Sequence, residues 1–169
     1  MAGVATAEGD LVELVVIFVH AQIGNEIKTI EASGKILNPV TIKPDSSVFY
    51  CNFSDWRSGF FPGSVWYLYE LTGDTALLPL AKKYTMAIEE AKNLTWHHDV
   101  GFIVECSFGN GLRLTGDSVY KEVVIQAARS LSTRFREVPG IIQSWNVERG
   151  WQSERGWQCP VIVDNMMNL

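Results

Sequence analysis

Long apolar runs are missing from this chain. The longest unbroken one, Leu14 to Val19, falls far short of the roughly 20 residues a membrane-spanning helix needs. No membrane span is expected, and the chain reads as soluble. Cysteine is scarce: Cys51, Cys106 and Cys159 are too few and too widely spaced for a disulfide scaffold or a paired-cysteine zinc site. They read as three buried or half-buried thiols. Basic charge is in deficit, with 14 Lys plus Arg against 19 Asp plus Glu and a net charge of -5. No basic cluster offsets this, so nucleic acid is excluded as a partner. A basic leader is lacking too, since the first Lys or Arg is Lys28 and Glu8, Asp10 and Glu13 stand where positive charge is wanted. The chain as written carries no export signal and is expected in the cytoplasm; a mispredicted N-terminus would make it periplasmic or secreted. What remains is 169 residues of ordinary globular composition, 47% hydrophobic and 20% charged, enough for about one domain.

Val12, Val15, Val16, Val19, Ile23, Ile27 and Ile30 recur at helical spacing and predict a first helix over about residues 10–32, ended by Ser33-Gly34. Val40-Thr41-Ile42 and Val48-Phe49-Tyr50 flank a turn-rich Lys43-Pro44-Asp45-Ser46-Ser47, which predicts a small hairpin. From Gly59 to Gly73 the sequence is apolar on nearly all sides, which predicts a buried helix. Leu77, Leu80, Ala81, Tyr84, Ile88 and Ala91 then mark one face of an amphipathic helix. The pattern repeats: Gly101-Phe102 opens a second apolar segment, Leu114-Thr115-Gly116-Asp117 closes it, and Tyr120, Val123, Val124, Ala127, Leu131 and Phe135 stripe the next helix. The two Leu-Thr-Gly-Asp turns lie 43 residues apart and the two Gly-Phe starts 42, the period of an αα-hairpin array.

Such hairpins stack as an open solenoid or close into a ring, and apolar inner helices favour the ring. Six hairpins at this period take roughly 260 residues before loops are counted. The expected fold class is therefore all-α, with αα-hairpin repeats forming about half of an (α/α)6 barrel, a truncated toroid. Residues 161–169 begin a third apolar segment.

Polar and aromatic residues precede each apolar helix: Asp55-Trp56-Arg57-Ser58, Trp96-His97-His98-Asp99 and Asp164-Asn165. In a ring these starts converge on one mouth, where Asp99 and Asp164 could meet and like charge could raise the pKa of one toward general-acid use. Both are equally good helix N-caps. Six tryptophans suit stacking on sugars, although core packing is the default for any one. Residues 149–158 repeat Arg-Gly-Trp-Gln, setting Arg149 and Arg155 beside two indoles as a receptor for an acidic sugar, or simply as a solvated loop. Metal is discounted: adjacent histidines in an extended segment point opposite ways, and no third ligand follows at useful spacing.

Asp55-Trp56-Arg57-Ser58-Gly59-Phe60, His97-His98-Asp99-Val100-Gly101-Phe102, Gly140-Ile141-Ile142-Gln143-Ser144-Trp145 and Ile162-Val163-Asp164-Asn165-Met166-Met167-Asn168-Leu169 resemble the unsaturated glucuronyl hydrolases, glycoside hydrolase family 88. The resemblance covers residues 21–169, read as the N-terminal half of an (α/α)6-barrel catalytic domain, with 1–20 as an atypical opening segment of the first helix. It implies an enzyme that hydrates the enol ether of a 4,5-unsaturated uronic acid at the non-reducing end of a glycosaminoglycan-derived oligosaccharide. By the same resemblance Asp164 is the acid and base, Asp99 its partner, and Trp56, His98 and Trp145 line the sugar site, with no cofactor or metal. Two other readings stand beside it. One is a non-catalytic helical fragment that binds acidic sugar or self-associates through its open half-barrel. The other is a different (α/α)6 carbohydrate enzyme, disfavoured by His-His-Asp-Val-Gly-Phe.

Overall fold

A computed structural model of the chain describes residues 7–169, with side chains from Leu11 onward; the first six residues of the 1–20 segment lie outside the described residues. Helix α1 (Ala7–Ala32) takes the predicted place. Its stripe is divided, however: Ile27 and Ile30 are buried and Val16, Val19 and Ile23 pack partly on the core, while Val12 and Val15, with Leu11, Leu14, Ile17 and Phe18, are 51–64% exposed. The helix reaches the core from Val16 onward, and along it His20 meets Asp74 at 3.2 Å and Glu31 meets Lys83 at 3.2 Å. Strands β1 (Asn38–Ile42) and β2 (Val48–Cys51) form the expected antiparallel hairpin. Asp45 closes its turn by accepting from the Ser47 amide and hydroxyl, and the Tyr50 hydroxyl donates to Glu26 at 2.8 Å, tying the hairpin to α1.

Helix α2 (Phe60–Thr72) starts at Gly59 and stops at Gly73, whose φ of 67° is the left-handed stop that glycine adopts without strain. Phe61, Val65, Trp66 and Leu68 are buried, and the Trp66 indole donates to Thr85. The expectation of burial on all sides is corrected here, because Phe60, Ser64, Tyr67 and Leu71 form an exposed row at helical spacing that nothing among the described residues covers. Helix α3 (Leu77–Met86) packs on α2 and ends five residues before Ala91. Ile88 leaves helical geometry, and a 3-10 turn, Glu89–Asn93, lets Ile88 and Ala91 stay fully buried.

The second repeat runs through α4 (Val100–Val104), a π-helical turn (Glu105–Gly109) and α5 (Asn110–Thr115). Inside this stretch the Ser107 hydroxyl donates to the Ile103 carbonyl at 2.6 Å and Asn110 Nδ2 to the Cys106 carbonyl at 2.9 Å, side-chain bonds that accompany the wider turn. Gly59 and Gly63, four residues apart, let the two inner helices touch backbone to backbone. A Cβ at Gly59 would strike the Ile103 carbonyl, and one at Gly63 would lie 2.6 Å from the Cys106 carbonyl oxygen.

Helix α6 (Ser118–Ser132) follows, with its apolar face on α4. Phe135 does not extend its stripe: the helix stops at Ser132, and Phe135 is half exposed in β3 (Phe135–Arg136), paired with β4 (Ile141–Ile142). The cause is Arg134, 2% exposed, whose Nε donates to the Gln143 carbonyl and Nη1 to the Thr95 carbonyl, each at 2.6 Å, drawing the chain away from the helix axis.

The two Thr-Gly-Asp turns are built alike. Thr72 and Thr115 each donate back to the carbonyl four residues earlier and accept the amide of Asp74 or Asp117. Each Asp then accepts the amide two residues on, of Ala76 at 2.9 Å and Val119 at 3.0 Å. The Ala76 amide, and after it His20, hold the Asp74 carboxyl below its ordinary range. Glu70 and Arg113, equivalent positions of the two repeats, pair bidentately at 2.6 and 2.7 Å. All three cysteines are free and half-buried, as expected, and burial pushes the Cys51 thiol up to about 11.

Candidate active site

Three segments meet beside the start of α4. The His98 amide donates to the Ser144 carbonyl at 3.0 Å, and His97 bridges to Trp145 in antiparallel fashion. Ser144 in turn takes up residues 160–162, its amide donating to the Pro160 carbonyl and its hydroxyl accepting the Ile162 amide. A 3-10 turn, Val163–Asn168, then places two buried asparagines three residues apart. Asn165 Nδ2 donates to the Ile142 carbonyl at 2.7 Å, so its Oδ1 faces His98 Nδ1 at 3.0 Å. Asn168 Oδ1 accepts the Phe102 amide at 2.9 Å, and its backbone sits where a Cβ on Gly101 would be. Arg134 locks the same region from below through Thr95, Gln143 and Asn146 Oδ1.

The turn carries Asp164 to Asp99 and His98, and one ligand-type atom from each of the three lies within 4.8 Å of the others. Neither carboxylate caps a helix by its side chain: Asp99 stands at the N-cap of α4 without a capping bond, and the N-cap of the last turn is Ile162. Asp99 is instead flanked by His97 Nδ1 at 3.3 Å and His98 Nε2 at 3.5 Å. Asp164 Oδ1 is buried and receives no hydrogen bond from the described residues, and the same holds for His97 Nε2. Because Asn165 fixes the His98 ring with Nδ1 as donor, His98 Nε2 is the atom turned to the Asp99 carboxylate.

Both premises used against a metal are corrected. His97 is bridged to Trp145 and the chain then bends at His98 and turns at Asp99, so the two histidines flank one carboxylate, and the third donor comes from Asp164. One imidazole nitrogen and two carboxylate oxygens at this spacing suit either proton sharing or a divalent cation.

The remaining expected residues are dispersed. Trp145 meets the His98 ring edge-on at 5.6 Å. Trp56, 47% exposed, packs on Phe60 and Phe102 at 5.6 and 6.5 Å, beside an Asp55–Arg57 pair closed at 2.8 Å. Arg155 lies over both the Trp151 and Trp157 rings, which touch each other edge-on. Arg149 is exposed and forms no ion pair among the described residues. Sequence reasoning missed Asn165, Asn168 and Arg134; the Asn-x-x-Asn spacing after Asp164 was the available signal for the first two. A cavity of about 240 Å³ beside the turn is lined by Gly101, Val104, Leu131 and Asn168, and neither carboxylate lines it.

The helical hairpins, their buried inner helices and the polar mouth define a portion of an (α/α)6 barrel. The relatives agree. A curated unsaturated glucuronyl hydrolase of Formosa agariphila is 44% identical over 116 residues, 68% of this chain and 28% of that protein. One from Bacillus sp. strain GL1 is 32% identical over 69% of this chain and 30% of that protein. A solved unsaturated glucuronyl hydrolase described as specific for heparin superposes with a TM-score of 0.71 at 41% identity, covering 79% of this chain and 34% of that one. No protein-family model matches the chain. Over about 70% of its length the chain is thus homologous to the unsaturated glucuronyl hydrolases, glycoside hydrolase family 88, and it spans about a third of the length of these relatives. Among the described residues no helix is long and apolar enough to cross a membrane.

Proposed function

We propose that the chain is the part of an unsaturated glucuronyl hydrolase that carries its acid and base, within residues 21–169 as the N-terminal portion of the catalytic barrel. The observation that carries this reading is the grouping of Asp164, Asp99 and His98 within 4.8 Å, with both carboxylates free of capping duty. The substrate is a glycosaminoglycan-derived oligosaccharide with a 4,5-unsaturated uronic acid at its non-reducing end. Asp164 gives its proton to C4 of the enol ether, and its conjugate base draws a proton from water as the hydroxyl bonds to C5. The C5 hemiketal opens to a ketone, and C1, now a hemiacetal, releases the linked sugar as its alcohol. Asp164 ends reprotonated, so the net reaction is addition of water.

A buried carboxylate oxygen without a donor is costly when charged, and Asp164 Oδ1 is such an atom. With no donor occupying it among the described residues, that oxygen is open to a reacting group. Asp99, whose amide donates to His97 Nδ1, holds ring hydroxyls; Trp145 and Trp56 offer indole faces to the sugar; Arg149 and Arg155 meet its anionic groups. The test is the ultraviolet absorbance of an unsaturated chondroitin disaccharide, which reports the C4–C5 double bond. Loss of absorbance with the chain and not with Asp164→Asn supports the reading, and equal rates, or none with either, contradict it.

A second reading has its own support. The apolar residues of the N-terminal half of α1 and the Phe60, Tyr67 and Leu71 row of α2 are exposed, a patch of the kind that marks an interface. A non-catalytic segment that assembles through these faces would sediment as an oligomer and leave the disaccharide intact.

A further inference from the structure

An aromatic ladder leads outward from the carboxylates. It begins at Trp145, whose ring contacts His98, and continues to Trp151 and then Trp157, each ring centroid 5.3 Å from the one before. The Arg155 guanidinium carbon lies 5.2 Å from the Trp151 centroid and 5.3 Å from that of Trp157. Among the described residues no carboxylate pairs with Arg155. The scaffold is short and defined: α7 (Trp151–Glu154) follows Gly150 at φ 81° and is closed by Gly156 at φ 67°. The Arg155 amide donates to the Trp151 carbonyl and the Trp157 amide to the Gln152 carbonyl, each at 3.2 Å.

Core packing does not explain these residues, since Trp151 is 45% and Trp157 38% exposed. Two half-exposed indoles present flat amphipathic faces that fit the C–H faces of a sugar. An exposed guanidinium resting over two touching rings keeps its N–H groups open to solvent, where they can bind an anion beside the indole faces. Resting on the reading of Asp99 and Asp164 as the reacting centre, we propose that Trp151, Arg155 and Trp157 form a leaving-side subsite. It takes an anionic sugar, sulfated or carboxylated, beyond the residue that is released. The chain therefore selects for oligosaccharides longer than a disaccharide that carry negative charge on that sugar.

The experiment measures binding, which does not depend on turnover, in an Asp164→Asn background. The probes are an unsaturated chondroitin disaccharide, the unsulfated and the sulfated unsaturated chondroitin tetrasaccharides, and neutral cellotetraose. The expected result is about tenfold tighter binding of a charged tetrasaccharide than of the disaccharide, with cellotetraose weakest. Arg155→Gln reduces that preference toward unity while Arg155→Lys keeps part of it, and Trp157→Ala removes the length dependence. A preference confined to the sulfated probe assigns the anion as sulfate; one shared by both tetrasaccharides assigns it as carboxylate. Equal binding of disaccharide and tetrasaccharides, or a preference that survives Arg155→Gln and Trp157→Ala, overturns the subsite. Failure of the acid and base reading shows separately, as turnover by Asp164→Asn or none by the unmodified chain.

Discussion

The two ends of the helical repeat treat aspartate in opposite ways. At the turn end, Asp74 and Asp117 each accept a backbone amide two residues on, the Thr72 and Thr115 hydroxyls accept the Asp amides, and Asp74 also meets His20. At the mouth, among the described residues, the Asp99 side chain makes no capping bond, Asp164 Oδ1 has no donor, and His97 Nε2 is buried without a partner. Asn38 Oδ1 and the Tyr84 hydroxyl are also buried without a partner among the described residues, but only at the mouth does such an atom belong to a carboxylate, with a second carboxylate and an imidazole beside it.

That contrast can be broken or sharpened by substitution. The largest effect is expected at the mouth: Asp164→Asn lowers turnover of an unsaturated disaccharide by about a hundredfold or more, with the thermal midpoint nearly unchanged because the carboxylate holds no structural bond. Stability responds most at the contact between inner helices. Gly59→Ala drives a methyl into the Ile103 carbonyl and is expected to cost about 1–3 kcal/mol in urea unfolding. Asp117→Ala removes the amide cap of α6 and is expected to cost about 1 kcal/mol while leaving turnover intact.

Smaller is the pH response of Asp55. Its hydrogen bond from Arg57 holds its carboxyl below the ordinary range, so the folded state binds that proton less readily than the unfolded one. The associated stability is present above the unfolded carboxyl pKa of about 3.9 and fades as pH falls through the lower folded value. Asp55→Asn therefore flattens the acid limb of a stability–pH curve and leaves the neutral plateau's slope alone. Smallest of all is the expected effect of a chelator: turnover unchanged after dialysis against EDTA, whereas loss restored by a divalent cation would assign the His98, Asp99 and Asp164 group to a metal.

What the sequence made legible was local. The Thr-Gly-Asp turns, their period and the β1–β2 hairpin could be read because the residues that form them bond within a few positions of one another. The α1 stripe was read as a helix correctly, but which half of it is covered depends on how far the repeats reach. Phe135 was assigned to a helix because periodicity carries no information about Arg134, whose partners Thr95 and Gln143 lie 39 and 9 residues away. Asp99 and Asp164 were singled out from the convergence of helix starts on one mouth, and their roles came from the resemblance. The setting around them rests on contacts such as His98 to Asn165, separated by 67 residues. Arg149 and Arg155 were expected together from a repeated tetrapeptide, yet only Arg155 is held by the two indoles.

The most direct test sets the two aspartates of the contrast side by side: the rate at which the absorbance of an unsaturated chondroitin disaccharide falls with the unmodified chain, Asp164→Asn and Asp117→Ala at matched concentration. The account predicts loss of the double bond with the unmodified chain and with Asp117→Ala, and none with Asp164→Asn. Equal rates for all three, or an Asp117→Ala protein that stays folded yet is as inactive as Asp164→Asn, would contradict it.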